Sequence, residues 1–448
     1  MGMIKPRNFK GTRDFNPSEM IQRESMIEKM KRVFKLYGFS PLETPALEML
    51  EILSGKYGYE GDRLIYRLDY KNERPKDRVA LRYDLTVPLS RFVAMHPELP
   101  MPFKRYQIQP VWRADRPQPH QGRFREFYQC DVDTIGAEEG IADAEIIALT
   151  VQMMSELGFS GGDKQPVTLI NHRKILEGLL KLTHLPIDQL PDFCRILDKL
   201  DKIGWEEVQN ELMELGINAD ELSRLNDIFE MKGTSDSRID ALKQLLPDND
   251  VQDGIKRLSE IFEHFKNLNV AEDSIRFEPR LARGLDYYTG VVFETVLPDH
   301  PHIGSLTGGG RYDKLIGLYS GRDLPATGTT IGLDRIFAAM EQLNMIDTVK
   351  STVSDVLIAS FSNDEMASSL KVSEEFRRNG INTELFPNTG KLKKPLNYAN
   401  KKKIPFVAIL GPDEIADPEN IKVSLRNLNT STQVTISIED AIQIMKKL

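Results

Sequence analysis

The run Lys104-Arg105-Tyr106-Gln107-Ile108-Gln109-Pro110-Val111-Trp112-Arg113 is followed, after a loop, by Arg123-Phe124-Arg125-Glu126-Phe127-Tyr128-Gln129-Cys130-Asp131-Val132-Asp133-Thr134-Ile135-Gly136, and this stretch organises the rest of the chain. Lys104–Trp112 alternates apolar with polar residues and carries Tyr, Ile, Val and Trp, the signature of a strand. Phe124–Ile135 follows the same pattern. Pro117, Pro119 and Gly122 between them break helix and ladder alike. Two antiparallel strands joined by a long loop follow, with Arg113, Arg116, Arg123 and Arg125 close to that loop. So many guanidiniums repel one another unless an anion sits among them, and their planar fork of donors suits phosphate. The same residues also suit a solvated basic hairpin. On the far strand Gln129, Asp131 and Asp133 recur at period two, on one face. Groups of that kind suit an amine or a ring N–H, so an anion clamp beside them reads as a site for two substrates.

The chain has 448 residues and a net charge of −8. That length allows two to four domains. The charge excludes a basic nucleic-acid coat and leaves nucleic-acid contact to local patches. Cys130 and Cys194 form no CxxC pair, which argues against a zinc site and against a disulfide framework. No secretory leader and no apolar run long enough to span a bilayer is evident. The expectation is a soluble, reduced, cytoplasmic protein with no membrane association.

Asn16, Pro17 and Glu19 read as a boxed helix start, and Gly38 as its end. Val79–Tyr83 reads as a strand and Leu85–Met95 as a short helix. Asp84 and Thr86 sit at that junction, where Asp84 suits either a helix cap or a binding group. Glu139–Leu157 reads as a helix, Val167–Ile170 as a buried strand, and Arg173–Leu182 as the start of a helix. From about 179 to 269 helical periodicity dominates, a helical insertion between two parts of a sheet. Ile275–Arg280 and Val291–Leu297 return to strand character. Gly308-Gly309-Gly310 either lets a ligand approach the backbone or makes a turn. Ala326–Arg335 is expected to open a helix through Leu343 with small residues at its start. Beyond Ser354, strands at Asp355–Phe361, Ile381–Phe386 and Pro405–Leu410 alternate with helices at Glu365–Arg378 and Leu392–Lys402, which predicts a small, mostly parallel α/β domain. Lys391, Lys393, Lys394, Lys401, Lys402 and Lys403 cluster around its second helix. They suit either a solvated face or, with Asn388, Tyr398 and Asn400 interleaved, contact with unpaired bases.

Four segments carry a family resemblance. Trp112-Arg113 with Arg123-Phe124-Arg125-Glu126-Phe127 resembles the second signature of class II aminoacyl-tRNA synthetases, and Gly328 to Arg335 resembles the third. Arg283-Gly284-Leu285-Asp286-Tyr287-Tyr288-Thr289-Gly290 and Gly309-Gly310-Arg311-Tyr312-Asp313 resemble the signatures peculiar to histidyl-tRNA synthetases. The resemblance covers essentially the whole chain, least so the insertion.

The resemblance implies an α+β catalytic core, an antiparallel sheet flanked by helices, over residues 1–345 with the insertion at about 179–269, then an α/β anticodon-binding domain over residues 355–448. It implies ATP-dependent ligation of histidine to tRNA(His) through histidyl-adenylate, in a homodimer, with Mg2+ held mainly by ATP and no metal held by the protein. Arg113 and Arg283 are expected to be catalytic. Asp84, Thr86, Gln129, Asp133, Tyr287, Tyr288 and Arg311 are expected at the histidine, and Arg113, Asp115, Arg123 and Arg335 at the ATP. The lysine cluster is expected at the tRNA. Relatives often carry Glu where this chain has Asp84 and Asp133, so a shorter carboxylate must be brought in by a different backbone path. The competing reading is a non-catalytic histidine-binding regulatory paralogue from histidine biosynthesis, whose relatives typically lack the terminal domain and degrade the signatures.

Overall fold

The computed structural model describes residues 3–71, 74, 77–282, 287–346 and 352–447. The chain divides into two compact units, Met1–Arg13 with Met26–Met345, and Asp14–Ser25 with Ile346–Leu448.

The strands are, in chain order, β1 Ser40–Pro41, β2 Leu47–Met49, β3 Arg67–Leu68, β4 Val79–Leu81, β5 Phe103–Trp112, β6 Glu126–Ile135, β7 Val167–His172, β8 Ile275–Phe277, β9 Val291–Val296, β10 Thr307–Arg311 and β11 Ala326–Gly332 in the larger unit. Eight of them form one sheet in the order β1-β5-β6-β11-β10-β9-β7-β8. Its middle is antiparallel, and the edge pairs β1–β5 and β7–β8 are parallel. Strands β2, β4 and β3 make a small antiparallel sheet beside it. The β5–β6 pair runs from Phe103↔Ile135 to Trp112↔Glu126, a full-length hairpin arm set by matching alternation.

Helices cover the sheet. Ile141–Glu156 is apolar almost all round, so it buries Ile146, Ile147, Leu149, Met153 and Met154. The helix Thr86–Met95 buries Val87, Leu89 and Val93 in a cluster with Tyr83, Ile135, Tyr312 and Ile316. Between β7 and β8 the chain is helical, from Arg173–Leu182 through Leu190–Leu197, Leu200–Glu214, Ala219–Phe229 and Ser235–Leu245 to Asn249–Asn267.

One expectation is corrected and one open choice is decided in the middle of the sheet. Residues 326–332 are not a helix start but the central strand β11, and the helix begins only at Leu333. Of the two readings of Gly308–Gly310, the turn is excluded, because the run lies inside β10, and Gly308 and Gly309 border the cavity described below. Both follow from crowding that only the folded sheet reveals. A Cβ on Gly309 would lie 2.2 Å from the Gly328 carbonyl oxygen, and one on Gly328 would lie 2.1 Å from Asp133 Oδ1. Backbone and side chains of neighbouring strands lie across these positions, so glycine is required there for space rather than for flexibility.

In the smaller unit, strands β12 Val356–Ser360, β13 Thr383–Leu385, β14 Phe406–Leu410, β15 Lys422–Asn427 and β16 Gln433–Ser437 lie in the order β13-β12-β14-β15-β16. The first three are mutually parallel, and β15 and β16 add an antiparallel hairpin absent from the sequence reading. Val356, Ile358, Phe376 and Val423 anchor the core on one face, Leu357, Ala399 and Val407 on the other. The helix start at Asn16 is a reciprocal box, with Glu19 N–H donating to Asn16 Oδ1 at 3.1 Å and Asn16 N–H donating to Glu19 Oε2 at 2.7 Å.

Candidate active site

A cavity of about 910 Å³ lies in the larger unit, floored by β6, β11, β10 and β9 and walled by Tyr57, Asp84, Thr86, Tyr287, Tyr288 and Tyr312 on one side and by arginines on another. The row of Gln129, Asp131 and Asp133 arises because β6 alternates, so every second side chain faces the cavity while Cys130 and Val132 occupy the opposite face. All of these polar side chains are buried. A buried carboxyl row is costly unless it is partnered, and here the partnering is incomplete.

Asp84 Oδ1 accepts from Tyr57 Oη at 3.0 Å and from the Val87 N–H at 3.1 Å, so Asp84 both caps the helix and borders the cavity. Its Oδ2 is buried with no hydrogen-bond partner among the described residues. Burial pushes this carboxyl up, opposed by Val87, Arg113 and Tyr57. Asp131 is pushed up to about 7, first by burial and also by neighbouring Asp133, with Arg105 opposing. Asp133 is raised by burial against the pull of Arg105 and Tyr312. Its Oδ1 accepts from Tyr312 Oη at 2.6 Å, and its Oδ2 lies 2.9 Å from Arg105 Nη2. Gln129 Nε2 donates to Thr330 Oγ1 at 3.0 Å, while Gln129 Oε1 is unpartnered among the described residues. Tyr287 shares a hydrogen bond with Thr86. Burial, with Asp133, Asp131 and Asp84 nearby, raises the Tyr288 phenol and keeps it a neutral O–H. Unfilled acceptors on Asp84 and Gln129, among three buried carboxyls, create a demand for a small cationic donor.

Arg113, Asp115, Arg116, Arg123 and Arg335 line the cavity as well. Arg113 Nε donates to the Tyr83 carbonyl at 3.1 Å, and its guanidinium lies 4.3 Å from the Tyr83 ring centroid and 5.2 Å from that of Phe127. Backbone tether and rings together fix its direction. Arg335 stands in the first turn of the helix Leu333–Gln342, and its Nη1 donates to the Ser305 carbonyl at 2.7 Å. Asp334 beside it accepts from Arg13 at 2.5 Å and from the Tyr128 N–H at 2.7 Å, which locks that helix to β6 and to the N-terminal segment. Arg125 points elsewhere. It donates to the carbonyls of Asp115 and Lys10 and does not border the cavity.

Arg311, expected at the histidine, is placed differently. It is 1 % exposed and lies outside the cavity lining. Its guanidinium engages both oxygens of Asp143, Asp313 Oδ1 and the carbonyls of Ala137 and Glu138. Those partners occupy its donors, so it holds structure rather than ligand. Arg283 lies outside the described residues. The lysines belong to the smaller unit. Lys391, Lys393, Lys394, Lys401 and Lys403 are exposed, whereas Lys402 is half-buried and pairs with Glu384 at 2.5 Å. Residues the sequence reading did not single out also border the cavity, among them Tyr57, Glu294, Arg173 and Arg195. Tyr57 precedes any recognisable motif, and Arg195 lies in the insertion, so no local signal marks either.

Antiparallel strands floored by glycine, with arginines over an acidic pocket, are the parts expected of a class II aminoacyl-tRNA synthetase core. A family model described as histidyl-tRNA synthetase matches residues 11–336, and one described as anticodon binding domain matches residues 355–448. Histidine--tRNA ligase of Cytophaga hutchinsonii is 39 % identical over 98 % of this chain and 99 % of its own, and that of Gloeobacter violaceus is 40 % identical over 97 % of each. The crystal structure of histidyl-tRNA synthetase from Nostoc sp. superposes with a TM-score of 0.87 at 32 % identity, covering 99 % of this chain and all of that one. The chain belongs to the histidyl-tRNA synthetase family.

Proposed function

We propose that this chain ligates histidine to tRNA(His) with ATP, through a histidyl-adenylate. The observation that carries the reading is one cavity holding a buried, acidic, incompletely satisfied pocket beside an arginine-lined end. In the first step a histidine carboxylate oxygen attacks the α-phosphorus of ATP and the bond to pyrophosphate breaks. In the second, a ribose hydroxyl of the terminal adenosine attacks the acyl carbon and AMP leaves. Such phosphoryl transfer needs positioning and charge neutralisation more than covalent help. Arg113 sits to hold the α-phosphate, with Arg123 and Asp115 over the rest of ATP and Arg335 beside adenine or the γ-phosphate. Arg283 has its catalytic role from the sequence signature alone. Magnesium accompanies ATP, carried by phosphate oxygens.

On the histidine side, Asp84 Oδ2, Gln129 Oε1 and Thr86 suit the α-ammonium group. Imidazole carries one donor and one acceptor nitrogen, which Asp133 and Tyr288 complement. Tyr287 braces Thr86. Residues 1–345 act as the catalytic domain, with the insertion at about 179–269, and 355–448 as the anticodon-binding domain, in a cytoplasmic homodimer. No helix among the described residues is long and apolar enough to cross a membrane. Similarity to ligases over the full chain, terminal domain included, favours the enzyme over the regulatory paralogue.

Amino-acid-dependent ATP–pyrophosphate exchange, run with each of the twenty amino acids, tests the reading. Exchange with histidine alone is expected. Tight histidine binding without exchange would transfer the chain to the regulatory class.

The lysines give an electrostatic test. Lys393, Lys394 and Lys401 point away from the core side of their helix, which is marked by Pro395 and Ala399. Replacing these three by alanine is expected to lower the slope of log Kobs for tRNA against log salt by about one unit per lysine, without loss of pyrophosphate exchange. Lys402, already paired with Glu384, should contribute less. An unchanged slope would return the cluster to a solvated surface.

A further inference from the structure

Arg105 is 0 % exposed and stands on β5 directly opposite Asp133 on β6. It does not border the cavity. Its Nη2 lies 2.9 Å from Asp133 Oδ2, yet that oxygen has no aligned hydrogen bond, so the contact is an ion pair held by charge rather than by direction. Nη2 donates to the Leu85 carbonyl at 3.3 Å, and Nε and Nη1 are buried without a partner among the described residues. A guanidinium so poorly matched is an expensive core residue, and an aliphatic side chain would fill the space at lower cost. Its presence is explained by what its charge does to the carboxyl in front of it.

Among the other described groups facing Asp133, Tyr312 supports the ionised form by donating a hydrogen bond but carries no charge, and the neighbouring carboxyls work against it. Asp131 stands two residues along the strand, Asp84 lies across the pocket, Tyr288 and Tyr312 are phenols, and Gly328 contributes no side chain. Arg113 acts on Asp84, on the opposite wall. Arg105 is the cation that acts on both Asp131 and Asp133, and it acts on Asp84 as well, less than Arg113 does.

We infer that Arg105 is a specificity-determining positioning residue: from the neighbouring strand it biases Asp133 toward its ionised, acceptor-only form, so the bound ring presents an N–H to it. An ionised carboxylate accepts and cannot donate, whereas a protonated one donates through its O–H. Without Arg105 the carboxyl takes a proton and offers a donor where the ring also offers one, and the match is lost. The inference rests on the proposed histidine site.

The test is histidine-dependent pyrophosphate exchange across pH for wild type and Arg105→Met. The histidine KM of Arg105→Met is expected to exceed that of wild type about 10- to 100-fold at the acid end, and to approach it as pH rises. Each unit by which the carboxyl pKa is raised cuts its ionised fraction about tenfold at a given pH below it. The ATP KM should stay unchanged, and Arg105→Lys should restore most of the wild-type profile. The double variant Arg105→Met/Asp133→Asn, which removes both charges and so leaves no stranded carboxyl at 133 should Arg105→Met fail to fold, is expected to bind histidine no worse than Asp133→Asn alone. Superimposable pH profiles for wild type and Arg105→Met would overturn the inference. So would a double variant much worse than Asp133→Asn, which would make Arg105 a packing residue. Failure of wild type to exchange with histidine would instead sink the functional reading.

Discussion

Arg113→Ala is expected to lower histidine-dependent pyrophosphate exchange by about 10²–10³, mainly in kcat, the usual cost of removing one preorganised group that meets developing charge. Its Nε is spent on the Tyr83 carbonyl and its guanidinium lies against the Tyr83 and Phe127 rings, so the terminal nitrogens are held in place before substrate arrives. A group already aimed needs little reorganisation at the moment of reaction. Lysine is not a conservative replacement, because it has neither the fork nor the plane that stacks. Arg113→Lys should therefore recover little of the rate. A secondary effect is expected on histidine. Arg113 is among the groups that hold Asp84 down against burial, so its loss lets that carboxyl rise further. The α-ammonium site then weakens first at acid pH, where the carboxyl takes up its proton. Exchange within about fivefold of wild type would remove Arg113 from the reaction, since a single positioned group of this kind is worth far more.

Arg311→Ala is expected to cost about 3–5 kcal/mol of stability, because it strands Asp143 without its partner in the interior. Asp143 lies on the helix Ile141–Glu156, Ala137 and Glu138 on the turn before it, and Asp313 just after β10, and Arg311 ties them together. The Arg311 carbonyl also accepts from Thr289 N–H, and Thr289 in turn contacts Asp313. That places the segment bearing Tyr287 and Tyr288 one link away. Urea melts should show a lower midpoint, and the histidine KM should rise alongside as the tyrosines lose their anchor. Arg311→Lys keeps the charge but gives up the bidentate geometry, and should fall between wild type and alanine in both respects. The opposite pattern, unchanged melts with a raised histidine KM, would put Arg311 back at the ligand.

What the sequence disclosed, and what it hid, divides by distance along the chain. The β5–β6 arms and the cavity-facing row Gln129, Asp131, Asp133 were legible because strand alternation is local. The helix starts at Asn16 and Arg173 were legible for the same reason. The nature of residues 326–332 was not, because small residues carry no periodicity, and only pairing with β6 and β10 makes them a strand. Family likeness brought Asp84, Thr86, Tyr287 and Tyr288 into consideration, and the structure sets them on one cavity. It also pointed to Arg311, but whether a motif arginine faces ligand or interior depends on what lies across the sheet, which no local pattern encodes. The hairpin of β15 and β16 escaped because most of β16 is exposed and gives little apolar signal.

The glycine paving of β10 and β11 bears on how this pocket can be altered. At Gly309 and Gly328 the cavity lining is backbone, and backbone cannot be trimmed by substitution. Room for a bulkier ligand must therefore come from side chains, such as Tyr288 and Tyr312 on the wall or Thr330 on the floor. Every one of those choices also disturbs Asp133, Asp131 or Gln129. Enlargement at these positions therefore also alters the polar row of the cavity.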